Sequence, residues 1–148
     1  NNNYLIFVNI PNATKIGPQA FESCHQLMEV KGNKMKIICK SAFEGCSNLT
    51  SINLENATEI QKDTFNGCFN LNNLNLSSLK DLAEDAFQNC PQLLRVQFDS
   101  KMGFFEFQSQ QVGCFGKFQF ISCLKNLKSE QKTVKQLRQY LKNLKNDE

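Results

Sequence analysis

Phe21, Phe43, Phe65 and Phe87 stand 22 residues apart, and Cys24, Cys46, Cys68 and Cys90 follow them at a constant offset of three. A chain whose apolar residues recur at that interval has few folds open to it, because a fixed period of this length marks stacked structural repeats. Five further columns keep the same register. Ala20, Ala42, Thr64 and Ala86 precede the aromatic residues; Leu27, Leu49, Leu71 and Leu93 follow the cysteines. Then come Val30, Ile52, Leu74 and Val96, and next Leu54, Leu76 and Phe98, with Gly32 the exception. Ile16, Ile38, Ile60 and Leu82 open the units.

The end of each unit, as in Leu49-Thr-Ser-Ile52-Asn-Leu54, alternates apolar and polar residues and predicts a half-buried strand. The start, as in Ser41-Ala-Phe-Glu-Gly-Cys46, predicts a tight helical or 3₁₀ turn with the Phe inside. One such unit cannot bury its own apolar edge, so neighbours must stack on a shared core with their strands parallel. Residues 1–120 are therefore expected to form a right-handed solenoid. It comprises a partial repeat at 1–15, full repeats over 16–103 and a degenerate repeat at 104–120. Leu5, Val8 and Ile10 fill the strand columns of the partial repeat, whose missing turn implies further sequence upstream. In the degenerate repeat, Phe104, Phe115, Phe118 and Phe120 keep apolar columns while Gln108-Ser-Gln-Gln-Val112 replaces the turn.

The pattern I-x-x-x-A-F-x-x-C-x-x-L-x-x-V, as in Ile16-Gly-Pro-Gln-Ala20-Phe21-Glu-Ser-Cys24-His-Gln-Leu27-Met-Glu-Val30, resembles the BspA-like class of leucine-rich repeats. The resemblance covers residues 5–98 closely, 104–120 loosely and 121–148 not at all. It implies an α/β solenoid with a short parallel sheet on the concave face. It also implies adhesion or host interaction, the role commonly described for bacterial surface proteins and parasitic-protist proteins of this class, while other members have an unknown or intracellular role and a fold does not fix a function.

Composition sets outer limits. Apolar residues make up 41% and charged residues 21% of the 148, a globular balance. Residues 125–145 hold seven Lys/Arg against one Glu, so the net charge of +3 belongs to the tail. No stretch is long and apolar enough for a membrane span. Tyr4 to Ile10 is too short and wrongly flanked for a secretion signal. Seven cysteines, an odd number, argue against a closed disulfide framework and for a reducing interior. The family resemblance and four N-x-[ST] sequons, at Asn12, Asn48, Asn56 and Asn75, point outwards to a cell surface instead.

The polar residues between the strand columns are the candidate binding surface. They form one file of Glu29, Ser51, Asn73 and Arg95 and a second of Lys31, Asn53, Asn75 and Gln97, with Asn33, Glu55, Ser77 and Asp99 beyond. Rigid strands present such groups to a protein or glycan without a large ordering cost; the bland alternative is a solvated sheet face. These files contain no aromatic anchor of the kind that dominates interfaces. The cysteine column reads as small buried hydrophobes, with Cys39, Cys114 and Cys123 the better sites for a reactive thiol. His25, the only histidine, follows Cys24, but neighbours on a turn seldom face one another as a nucleophile and its base must. No catalytic residues, metal site or cofactor are expected.

From Ser129 the tail predicts an amphipathic helix within 121–148. Leu127, Val134, Leu137, Leu141 and Leu144 form its stripe, with Tyr140 beside it and Lys132, Lys135, Arg138, Lys142 and Lys145 around it. Its expected role is a cap over the open end of the solenoid. A coiled-coil seam would dimerise the chain, but two heptads are too few, and a monomer is expected. A basic amphipathic helix could also meet a membrane surface, a calmodulin-like partner or nucleic acid, the last not expected here. The sequence thus predicts a non-enzymatic recognition module working through its concave face. The alternative is an intracellular scaffold or regulatory subunit working through the basic helix.

Overall fold

The computed structural model describes residues 3–83, 85–93 and 95–97, with the backbone of 104–106. Each repeat contributes two short strands: β1 (Phe7–Asn9) and β2 (Lys15–Ile16), β3 (Glu29–Lys31) and β4 (Ile37–Ile38), β5 (Ser51–Ile52) and β6 (Glu59–Ile60), β7 (Asn73–Asn75) and β8 (Asp81–Leu82). β9 (Arg95–Gln97) and β10 (Phe104–Glu106) follow. Phe98, Asp99, Cys114, Cys123, the rest of the degenerate repeat and the tail helix lie outside the described residues.

The first strand of each repeat builds the expected parallel ladder. β1, β3 and β5 pair in that order, as do β7 and β9, and the register is the repeat itself: Val8 opposes Val30, Val30 opposes Ile52, and Leu74 opposes Val96. β5 and β7 are not joined by ladder bonds; β5 stops at Ile52, one residue earlier than its counterparts in the other repeats. β10 pairs antiparallel with β9, Phe105 opposite Val96, so it does not continue the parallel stacking.

A second parallel sheet, β2-β4-β6-β8, runs through the Ile16, Ile38, Ile60 and Leu82 column. Two-residue strands carry no alternation to detect, which is why the sequence offered only an apolar column there. Between the two sheets, Leu27, Val30, Ile38, Leu49, Leu54, Ile60, Leu71 and Leu76 are buried in one continuous core. Phe21, Phe43, Phe65 and Phe87 stack through it with centroids 5.2, 5.4 and 5.2 Å apart and ring planes within 8° of parallel. Stacked aromatic pairs add about 0.5–1.5 kcal/mol each beyond the area they bury.

The turn expected to be helical or 3₁₀ is neither, and the described residues contain no helix. Its donors alternate instead. The N–H groups of Ala20, Glu22 and Cys24 donate three residues back, to Gly17, Gln19 and Phe21. Those of Gln19, Phe21 and Ser23 donate to the carbonyls of Lys40, Ala42 and Glu44 in the next repeat. Residues in the left-handed region make this alternation possible: Ser23, Gly45, Gly67 and Asn89 have φ of 57°, 71°, 75° and 53°, and Gln19, Ser41 and Asp63 have φ of 54–56°. A helix would spend every donor within itself; this turn spends half of them binding its neighbour.

Candidate functional site

The two polar files emerge on the face of the first-strand ladder. Glu29 and Ser51 are paired across strands, as are Asn73 with Arg95 and Asn75 with Gln97. Their side chains range from half-buried to exposed, while Val30, Ile52, Leu74 and Val96 between them point into the core. Asn73, Asn75, Arg95 and Gln97 come together around a shallow depression of about 260 Å³ with Leu74 at its floor. Glu29 and Lys31 pair with each other at 3.6 Å across one strand.

The named files hold no aromatic residue in the full repeats, but the ladder face carries one. The partial repeat puts Phe7 in the file of Glu29, opposite it in β1, and the ring is 45% exposed. Lys31 Nζ sits 5.3 Å from its centroid, a cation–π contact. Ile6 and Met28, which precede Phe7 and Glu29 in the chain, are also exposed, and Met28 N–H donates to Ile6 O at 2.8 Å. Extending the 22-residue register back by one repeat from Glu29 would have found Phe7.

Asn53 and Asn75 have a second use. Asn53 Oδ1 accepts from Glu55 N–H and Asn75 Oδ1 from Ser77 N–H, each at 3.0 Å. These are Asx turns that lead the chain off the strand. Asn33, Glu55 and Ser77 therefore stand past the strands, on the connection between the sheets, and not on the ladder face. Asn33 and Ser77 instead border a larger groove of about 990 Å³ along that connection, with Lys34, Lys36 and Lys80. The sequence reading missed those lysines; their signal was the file Thr14, Lys36, Thr58, Lys80 at the repeat interval.

The cysteine column is buried and its thiols are free. Cys46, Cys68 and Cys90 each donate S–H to the Phe carbonyl of the preceding repeat, at 3.0, 3.2 and 3.1 Å to Phe21, Phe43 and Phe65. Burial, reinforced by the neighbouring Cys24, pushes the Cys46 thiol up to about 12, and burial pushes Cys68 well above its ordinary value. Cys46 and Cys68 are thus held protonated, as donors and not as nucleophiles. His25 is exposed, its Nδ1 2.9 Å from Gly45 O of the next repeat, while Cys24 is buried. Among the described residues, no three His, Cys, Asp or Glu side chains are grouped to hold a metal ion, and no helix is long and apolar enough to cross a membrane.

Solved structures with the same fold include a leucine-rich repeat protein from Bacteroides ovatus, 29% identical with a TM-score of 0.52 over 65% of this chain and 30% of that one. The T. pallidum leucine-rich repeat protein is 23% identical, with a TM-score of 0.51 over 62% of this chain and 58% of its own. The chain thus spans less than two thirds of either protein's length. No curated protein sequence matches it. Six copies of the repeat described as "BspA type Leucine rich repeat region" match residues 1–110, and the chain belongs to that family.

Proposed function

We propose that the chain is a recognition module that binds a protein partner through the face of its first-strand ladder. Phe7 carries this reading. An aromatic ring left nearly half exposed, with a lysine over it and exposed Ile6 and Met28 at the head of the same strands, is the anchor that polar files alone lack. Arg95 supplies a second residue type enriched at interface hot spots, at the far end of the same face. Glu29, Lys31, Ser51 and Asn53 between them form the polar surround. The apolar cluster favours a protein over a glycan at this face, and leucine-rich repeats serve generally as protein-interaction modules. Adhesion is the setting that the family resemblance suggests for such a module.

The test is capture of partners from the native cell type by the intact chain, by Phe7→Ala, by Glu29→Arg with Arg95→Glu, and by a chain ending at Ser122. The truncation is used once its circular dichroism and elution volume match those of a folded chain. Loss of the same partners with both face variants, and their retention by the truncation, is the expected result. Partners lost only with the truncation would overturn the reading and make the basic helix the working part.

A further inference from the structure

The groove of about 990 Å³ along the connection between the two sheets is a concavity that the recognition face does not use. It runs across the repeats, from Thr14 through Lys36 and Thr58 to Lys80, with Lys34 on one bank. Backbone bonds hold that file in register: Lys36 N–H donates to Thr14 O at 2.8 Å, Thr58 N–H to Lys36 O at 2.8 Å, and Lys80 N–H to Thr58 O at 2.9 Å. Among the described residues, no carboxylate lines the groove. Three acids adjoin the groove in sequence: the Glu55 carboxylate accepts from Asn53 Nδ2 at 3.4 Å, Glu59 accepts from Gln61 Nε2 at 2.7 Å, and Asp81 stands opposite Glu59 across β6 and β8. Lys34 Nζ donates to Asn12 Oδ1 at 3.0 Å, a neutral partner that steadies the ammonium without cancelling its charge.

The remaining lining is hydroxyl and amide, with Leu79 the one aliphatic residue. We propose that this groove binds a polyanionic polysaccharide, its lysines pairing with sulfate or carboxylate groups and its Thr and Asn side chains with ring hydroxyls. Two features favour a glycan over an acidic peptide. Leu79, the one aliphatic residue of the lining, is buried and so offers a peptide no aliphatic anchor, and Lys36 and Lys80 are two repeats apart. Stacked parallel strands place such a pair roughly 10 Å from each other, about the length of one disaccharide unit of an extended, alternately charged polysaccharide. The charges are exposed, so the attraction is screened by salt.

The experiment is calorimetric titration of the full unglycosylated chain with a heparin-derived octasaccharide, its fully desulfated counterpart, and an oligoglutamate of matched charge. Two variants accompany it: Lys36→Gln with Lys80→Gln, and a tail variant with Lys132, Lys135 and Lys142 changed to Gln. The expected result is octasaccharide binding that weakens at raised salt, falls at least tenfold in the groove variant and holds within twofold in the tail variant. Desulfated sugar and oligoglutamate should bind at least tenfold more weakly. An unchanged thermal midpoint in the groove variant would establish that the loss is not unfolding. No binding, equal binding of oligoglutamate, or a loss that follows the tail variant alone would each overturn the proposal. Phe7→Ala should leave octasaccharide binding intact, which separates this site from the ladder face.

Discussion

The carbonyl of Phe43 accepts two hydrogens, one from Cys46 N–H at 3.1 Å in its own turn and one from Cys68 S–H at 3.2 Å in the next. That second bond explains why a cysteine recurs where alanine or valine would also be small and apolar. A buried carbonyl has room for two donors, and only a thiol of that size supplies one without the desolvation cost of a hydroxyl. The same geometry fixes a pH dependence. The Cys46 thiol ionises near 12 when folded and near 9.0 in its ordinary state. Above pH 9 the unfolded chain therefore loses a proton that the folded chain keeps. Stability from this group is full below about pH 9 and drains away as pH rises towards 12. Urea midpoints measured at pH 8 and pH 10.5 should differ more for the native chain than for Cys46→Ala; an equal drop in both would mean that the thiol is not held neutral by the fold. Iodoacetamide at pH 8 should leave Cys24, Cys46, Cys68 and Cys90 unmodified until denaturant is added.

At the scale of the turn, the left-handed positions decide what each repeat tolerates. Gly67 has φ of 75°, and a Cβ there would find its nearest neighbours, the Gly45 backbone atoms, at an ordinary 3.7 Å. Gly67→Ala should thus cost only the backbone penalty, about 1–2 kcal/mol. Ser23 occupies the same position two repeats earlier, at φ 57°, and Ser23→Gly should recover up to ~1 kcal/mol. Chemical denaturation of the two variants checks both signs, and a stabilising Gly67→Ala would refute the assignment. Gly32 differs in kind. Its Cβ would lie 2.8 Å from Ile10 O, so the gap in the Leu54 and Leu76 column marks a close backbone approach. Much of this element was legible in advance. Phe, Cys, Leu and Val at one interval gave the repeat, the inner strands and the polar files. The rest was not, because left-handed serine, glutamine and aspartate leave no compositional mark and a two-residue strand has no period. The Asx role of Asn53 and Asn75 and the lysine file were hidden for another reason: both depend on where the chain leaves the strand, which periodicity locates only to within a residue or two.

Stacking makes the described solenoid nearly one-dimensional: each repeat touches the repeats before and after it, and an interior position has twice the neighbours of an end position. The Phe ladder gives that statement a measurable form. Phe65 lies fully buried between Phe43 and Phe87, whereas Phe21 is half-buried and has a ring neighbour on one side, Phe43. Truncating Phe65 removes two stacked contacts and leaves a cavity that the flanking turns cannot close, because their N–H groups are committed to neighbouring carbonyls. Phe65→Ala should therefore cost about 3–5 kcal/mol, the range for a large buried aromatic. Phe21→Ala should cost at most about half as much by the same reasoning. Amide exchange adds a sharper distinction. In Phe21→Ala, protection should fall in β1 to β4 and persist in β7 and β8. In Phe65→Ala it should fall on both sides of the substitution, since the interior repeat couples the two halves. Equal losses of stability and an identical exchange pattern would mean that the chain unfolds as one indivisible core, with the rings as filler instead of a spine along which stability is passed from repeat to repeat.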